Sequence, residues 1–71
     1  MSDNRVEHLN AKRIELAELR EQHRDLDASI EALQAMPLPD QLRIQRLKRQ
    51  KLQLKDQIRQ LAAQITPDII A

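Results

Sequence analysis

Apolar residues recur at alternating steps of three and four along most of this 71-residue chain. Such spacing defines the a and d positions of a heptad, which line one side of an amphipathic helix. Two series of these positions occur, and each predicts one long helix. The first series is Leu9, Lys12, Leu16, Leu19, His23, Leu26, Ile30 and Leu33, and the second is Ile44, Leu47, Lys51, Leu54, Ile58, Leu61 and Ile65.

A proline-containing segment, Met36-Pro37-Leu38-Pro39, separates the two series. Proline removes a helical hydrogen bond and clashes with the preceding turn, so this segment should end the first helix. Pro39 suits the first position of a second helix, with Asp40 in its first turn. We therefore predict one domain with a helix over about 4–35, a turn over 36–39, a helix over about 39–66 and a short tail over 67–71.

The spacing also predicts how the two helices face each other. In an antiparallel pair each a residue faces a d residue, and every layer meets this rule if facing residue numbers sum to 77. The midpoint then falls between Leu38 and Pro39, inside the turn. The predicted fold is all-α, an antiparallel two-helix hairpin of the coiled-coil type. The same register predicts an ion pair between Asp27 and Lys48. It also sets Arg20 near Lys55, a like-charge contact that an acidic partner would relieve.

The composition excludes several classes of protein. Glycine, cysteine and aromatic residues are all absent, as is typical of long helices. Without cysteine the chain has no disulfide framework and no cysteine-based metal site or nucleophile. No apolar run approaches the roughly 20 residues that a membrane span needs, and the N-terminus shows no signal peptide. We expect a soluble, cytoplasmic protein.

Charge is divided unevenly along the chain. Residues 1–38 contain five basic and eight acidic side chains, whereas residues 39–71 contain seven basic and three acidic ones. The two halves are therefore complementary, as expected if the helices lie side by side. The net charge of only +1 indicates no strong overall preference for acidic partners.

Apolar side chains also occur outside the predicted seam, at Val6, Ile14, Leu42 and Leu52. A two-helix seam covers its apolar residues only partly, and ordering about sixty residues costs about 1–2 kcal/mol each before hydrogen bonding is counted. We therefore expect a second contact face. Association with further copies of the chain, or with another helical protein, would complete the fold.

Two motifs resemble a known family. The first is His23-Arg24-x-Leu26-Asp27-x-x-Ile30-x-x-Leu33, and the second runs from Leu47-Lys48-Arg49-x-Lys51-Leu52 to Leu54-Lys55-Asp56-x-Ile58. Together they look like the YdcH-like family of short bacterial proteins, with similarity from about Leu16 to Leu61. The resemblance implies a small helical hairpin whose biochemical role is unassigned.

His23 is the one candidate for chemistry or sensing. An imidazole in a coiled-coil seam is most often structural, here bonded to Asp27 one turn further on. The second interpretation is that His23 senses pH or recognises a partner protein. Metal binding or catalysis by His23 is the least supported interpretation. The sequence offers neither a second metal ligand at suitable spacing nor a nucleophile beside a base. We expect no enzyme activity, no cofactor and no small-molecule substrate.

Four basic residues, Lys48, Lys51, Lys55 and Arg59, form a row along the second helix. The favoured interpretation is a solvated stripe that balances the acidic first helix. The more specific alternative is weak nucleic-acid binding through this row. The absence of aromatic residues and the near-neutral total charge argue against it. The sequence thus favours a protein–protein interaction or oligomerisation module, with His23, Asp27, the basic row, Leu42 and Leu52 as candidate contact residues.

Overall fold

The structure, a computed structural model, describes the backbone of residues 4–65 and the side chains of residues 7–65. It contains two helices, α1 (Asn4–Gln34) and α2 (Gln41–Ile65), which pack against each other. The predicted all-α hairpin is confirmed. Position 66, the predicted tail over 67–71 and the side chain of Val6 lie outside the described residues.

The seam follows the heptad pattern residue by residue. All fifteen a and d residues of the two series are buried or half-buried, including Lys12, His23 and Lys51. Every other helical residue between 7 and 65 is exposed, with the exception of Ala62. The helix faces therefore lie as the three-and-four spacing predicts, because side chains at this spacing share one side of a helix.

The most buried side chains lie near the two ends of the seam. Ile30 and Ile44 are only 5% and 2% exposed beside the turn, and Leu16 and Leu61 are buried at the other end. The numbers of Leu16 and Leu61 sum to 77, as the predicted register requires. The middle of the seam, which includes His23 and Lys51, is only half-buried. The core thus consists of two well-buried apolar clusters that flank a less buried region containing His23 and Lys51, which we call the polar centre.

The second helix begins later than the sequence predicts. Asp40 Oδ1 accepts a hydrogen bond of 3.1 Å from the backbone N–H of Arg43, and the Asp40 carbonyl accepts one of 3.0 Å from Ile44. This geometry makes Asp40 the N-cap of α2 and puts Pro39 before the helix, so the prediction of Pro39 as the first helical residue was wrong. The Asp40 carboxylate accepts a hydrogen bond from one of the free N–H groups of the first turn and so marks the start of the helix.

The turn needs no glycine. No non-glycine residue of the described chain has a positive φ angle, and the sequence contains no glycine at all. At its start, the backbone N–H of Ala35 still donates to the carbonyl of Glu31, and that of Met36 donates to Leu33. The chain then reverses through the two prolines, which favour extended backbone in the residues that precede them.

Candidate functional site

A cluster of three ionisable side chains occupies the polar centre of the seam. His23 and Asp27 lie one turn apart on α1, and Lys51 reaches them from α2. Lys51 Nζ donates a hydrogen bond of 2.5 Å to Asp27 Oδ1 and so joins the two helices. The Lys51 side chain is about one-third exposed, whereas that of Asp27 is half-exposed. Lys51 thus packs its aliphatic stem in the seam and places its ammonium at the edge.

Asp27 is the group whose titration this cluster changes. The hydrogen bond from Lys51 lowers the pKa of Asp27 below its ordinary value of 3.8, and desolvation opposes that shift. The charge of Lys51, and to a lesser extent that of His23, favours the carboxylate further. Asp27 is therefore held ionised as the acceptor of the cross-helix ion pair.

The predicted ion pair between Asp27 and Lys48 was wrong, because Lys51 takes the place of Lys48 as partner of Asp27. Lys48 lies nearby, in a shallow groove lined by Asp27, Ile30, Glu31, Gln34, Lys48 and Lys51. The Cα atom of a lysine in the seam lies closer to the opposite helix than that of a residue at the edge. Its extended side chain can therefore reach a carboxylate at the edge of that helix. Lys48 begins at that edge and stays exposed.

His23 does not form the hydrogen bond to Asp27 that we expected. Its Nδ1 lies 3.9 Å from Asp27 Oδ2, which is too long for a hydrogen bond. Its Nε2 is buried and has no hydrogen-bond partner. Asp27 directs its short contact to Lys51 instead, so His23 packs in the seam with one unsatisfied nitrogen.

The basic row of α2 belongs to a larger basic surface. Lys48, Asp27 and Gln34 line one groove and therefore share one side of the hairpin. Residues seven apart lie along one strip of a helix, so Arg13 and Arg20 extend the strip of Asp27, and Lys55 extends that of Lys48. Arg24 and Arg59 lie on the adjoining strips. We define the basic face as Arg13, Arg20, Arg24, Lys48, Lys55 and Arg59, all of them exposed.

Sequence reasoning set Arg20 near Lys55 but missed that Arg13 and Arg24 belong to the same face. It considered only the basic row of α2 as a binding surface, and the acidic total of α1 concealed where the other α1 arginines lie. The seven-residue spacing of Arg13, Arg20 and Asp27 was the available signal. Once the antiparallel register is known, this spacing places both helices' cations on one side.

The opposite side of the hairpin is rich in glutamine, a second feature that sequence reasoning missed. One groove there is lined by Gln22, Leu26, Gln50, Gln53, Leu54 and Gln57, and a second by Glu15, Leu19, Gln57, Gln60, Leu61 and Gln64. We call this side the glutamine face. The two faces therefore differ in charge although they flank the same seam.

Large apolar side chains lie outside the seam, as predicted. Ile14 and Leu52 are each 62% exposed, and Leu42 is 76% exposed. At the turn Met36 and Leu38 are exposed as well. Ile14 borders a groove on α1 with Ala17, Glu18, Glu21 and Gln22, whereas Leu52 borders one on α2 with Gln41, Ile44, Gln45, Lys48 and Arg49.

Among the described residues, no group of three or more histidine, aspartate and glutamate side chains is arranged to hold a metal ion. Neither α1 nor α2, within the same residues, has the length and apolar character that a membrane crossing requires.

Comparison with known proteins gives one match. Residues 16–62 match the family described as "Protein of unknown function (DUF465)". No curated protein and no solved structure matches the chain significantly. The matched segment covers most of both helices, the turn and the polar centre of the seam. Because it spans well over half of the chain, the protein belongs to the DUF465 family, which includes the YdcH-like proteins that its two motifs resemble.

Proposed function

We propose that this chain is a non-catalytic cytoplasmic interaction module that associates through the outward sides of its two helices, first of all with further copies of itself. The observation that carries the proposal is the exposure of Ile14, Leu42 and Leu52 outside the seam. Single exposed leucines are common on protein surfaces. Here, however, they accompany a hairpin with only four buried side chains among the described residues, so additional burial would stabilise it.

The two outward sides carry opposite charges. The α1 groove that includes Ile14 is flanked by Glu18 and Glu21, and the α2 groove that includes Leu52 is flanked by Lys48 and Arg49. An antiparallel contact that sets Leu52 of one copy on Ile14 of another also sets Arg49 beside Glu18. Such a contact joins apolar burial with charge complementarity.

The seam edges argue against a third helix laid across the hairpin. The strips that border the seam carry arginine, lysine and aspartate on one side and mainly glutamine on the other. A helix packed there would bury these side chains in place of apolar ones. The outward contact instead pairs α1 of one copy with α2 of the next, which are unlike surfaces. Such a contact repeats head to tail and does not close as a symmetric dimer.

Sedimentation equilibrium on the intact chain tests the proposal. The wild type should show species heavier than 8.3 kDa, and its melting temperature should rise with concentration. Leu52→Gln should weaken association, whereas Leu38→Gln, an identical change at an exposed turn residue, should leave it unchanged. A strictly monomeric wild type with a concentration-independent melt would refute self-association.

Charge reversal tests the pairing of the two surfaces. Glu18→Arg and Arg49→Glu should each weaken association alone, because each places like charges together. An equal mixture of the two variants should recover it, because the Arg49 side of one then meets the Glu18 side of the other. Failure of the mixture to recover association would show that other surfaces make the contact.

A further inference from the structure

We infer that the basic face binds the phosphate backbone of duplex nucleic acid without reading its sequence. This inference rests on charge and does not require self-association, although Lys48 belongs to the basic face and also borders the α2 groove that includes Leu52. The observation behind it is that six exposed cations, three on α1 and three on α2, lie on the same side of the hairpin.

None of these cations has an ion-pair partner among the described residues. The ion pairs between residues 7 and 65 are those of Asp27 with Lys51 and with His23. None of the six basic-face side chains takes part in them. The two acidic residues on this side are Asp27, which Lys51 already occupies, and Glu31. The predicted register also sets Arg20 near Lys55, which places like charges side by side at the edge of the seam. An external polyanion would relieve that repulsion.

The kind of partner follows from what the basic face lacks. Protein interfaces depend on a few buried apolar or aromatic anchors. Leu52 is the one large apolar side chain among the described residues on the helix strips that carry these cations, and the two strips that border the seam are almost entirely polar. Binding to phosphates, in contrast, requires only well-placed cations and gains free energy from released counterions.

The absence of aromatic residues decides between duplex and single strand. Proteins that bind single strands stack bases on aromatic side chains, and this chain has none. Backbone contacts to a duplex need no such platform. Phosphate contacts carry no direct sequence information, so a contact made by these six cations should depend on their charge and spacing.

Fluorescence anisotropy with a labelled duplex of about 20 base pairs tests the inference. If most of the six cations contact phosphates, a plot of the logarithm of affinity against the logarithm of salt concentration should have a slope of about −5. Affinity should then drop about 10³-fold between about 50 and 200 mM salt, leaving little binding near physiological ionic strength. No binding even at about 20 mM salt would overturn the inference.

A matched pair of variants locates the contact. Arg20→Gln with Lys55→Gln should reduce the salt slope by about 2. Arg43→Gln with Arg46→Gln removes the same amount of charge from the side of the hairpin that carries the glutamine face, and it should leave the salt slope unchanged. Equal loss in the two variants would show that net charge alone, and not the basic face, attracts the duplex. All four positions are exposed, and circular dichroism checks that the variants remain helical.

A second pair and a second ligand complete the test. If Arg20→Gln with Lys55→Gln lowers the helix content, Lys48→Gln with Arg59→Gln replaces it and should give the same reduction in slope. Vesicles containing phosphatidylserine offer an anionic surface whose phosphate groups are not linked into a polymer. Binding to these vesicles with equal or greater affinity than to the duplex would assign the basic face to membranes and refute the inference.

Discussion

Lys51 Nζ and Asp27 Oδ1 lie 2.5 Å apart and link α2 to α1 at the centre of the hairpin. The contact lies between the two apolar ends of the seam, where Leu16 and Leu61 are buried at one end and Ile30 and Ile44 at the other. A polar link of this kind contributes less to stability than apolar burial, but it favours one alignment of the two helices over alignments shifted along the seam.

Acid should weaken this link. Because the pKa of Asp27 is lowered in the folded chain, the carboxylate stabilises the fold above its unfolded pKa of about 3.9, and this contribution disappears as pH falls through the folded value. The wild-type melting temperature should therefore fall more between about pH 5 and 2 than that of Asp27→Asn. Circular dichroism melts at several pH values measure the difference. Parallel curves for the two proteins would contradict it.

His23 should be replaceable at a gain in stability. Its Nε2 is buried without a hydrogen-bond partner, and leucine at this seam position would remove the unsatisfied nitrogen and add apolar contact. We expect His23→Leu to raise the free energy of unfolding by on the order of 1 kcal/mol. The oligomer distribution should broaden at the same time, because one polar restraint on the seam is lost. Urea denaturation and sedimentation velocity report the two effects, and a less stable variant would instead assign His23 an essential polar role.

The apolar ends of the seam should dominate stability. Ile44 is 2% exposed, so Ile44→Ala should cost about 2–5 kcal/mol. Leu38 is 90% exposed, and Leu38→Ala should change stability by no more than about 0.5 kcal/mol. Denaturant unfolding at one protein concentration compares the two variants. Similar losses at both positions would be incompatible with the burial that the structure shows.

The register can be tested with introduced cysteines, because the natural chain contains none. Leu16→Cys with Leu61→Cys should form an intrachain disulfide readily, since the predicted register sets these two buried residues in one layer of the seam. Leu16→Cys with Leu47→Cys should not, because residues 47 and 61 lie about 21 Å apart along α2. Non-reducing gel mobility in dilute solution distinguishes the outcomes. Efficient coupling of the second pair would require a different packing of the helices.

The seam could be predicted well because heptad spacing is a property of local helix geometry. Once α1 and α2 form, three-and-four spacing decides which side chains share a side, and the prolines decide where the chain reverses. Leu16 and Leu61 illustrate the result, since the register predicted them to face each other and both are buried. The same reasoning placed Leu42 and Leu52 outside the seam, where they are exposed.

By itself, therefore, the sequence determined the two helices, their packing as a hairpin and the residues of the seam, which follow from periodicity and from the position of the prolines. Only the tertiary structure decided that Asp27 pairs with Lys51 and not with Lys48, because that choice depends on the path of a long side chain across two helices. It also decided that Asp40 caps α2. The basic face belongs to the tertiary structure as well, since its six cations share a side only after α1 and α2 have packed together.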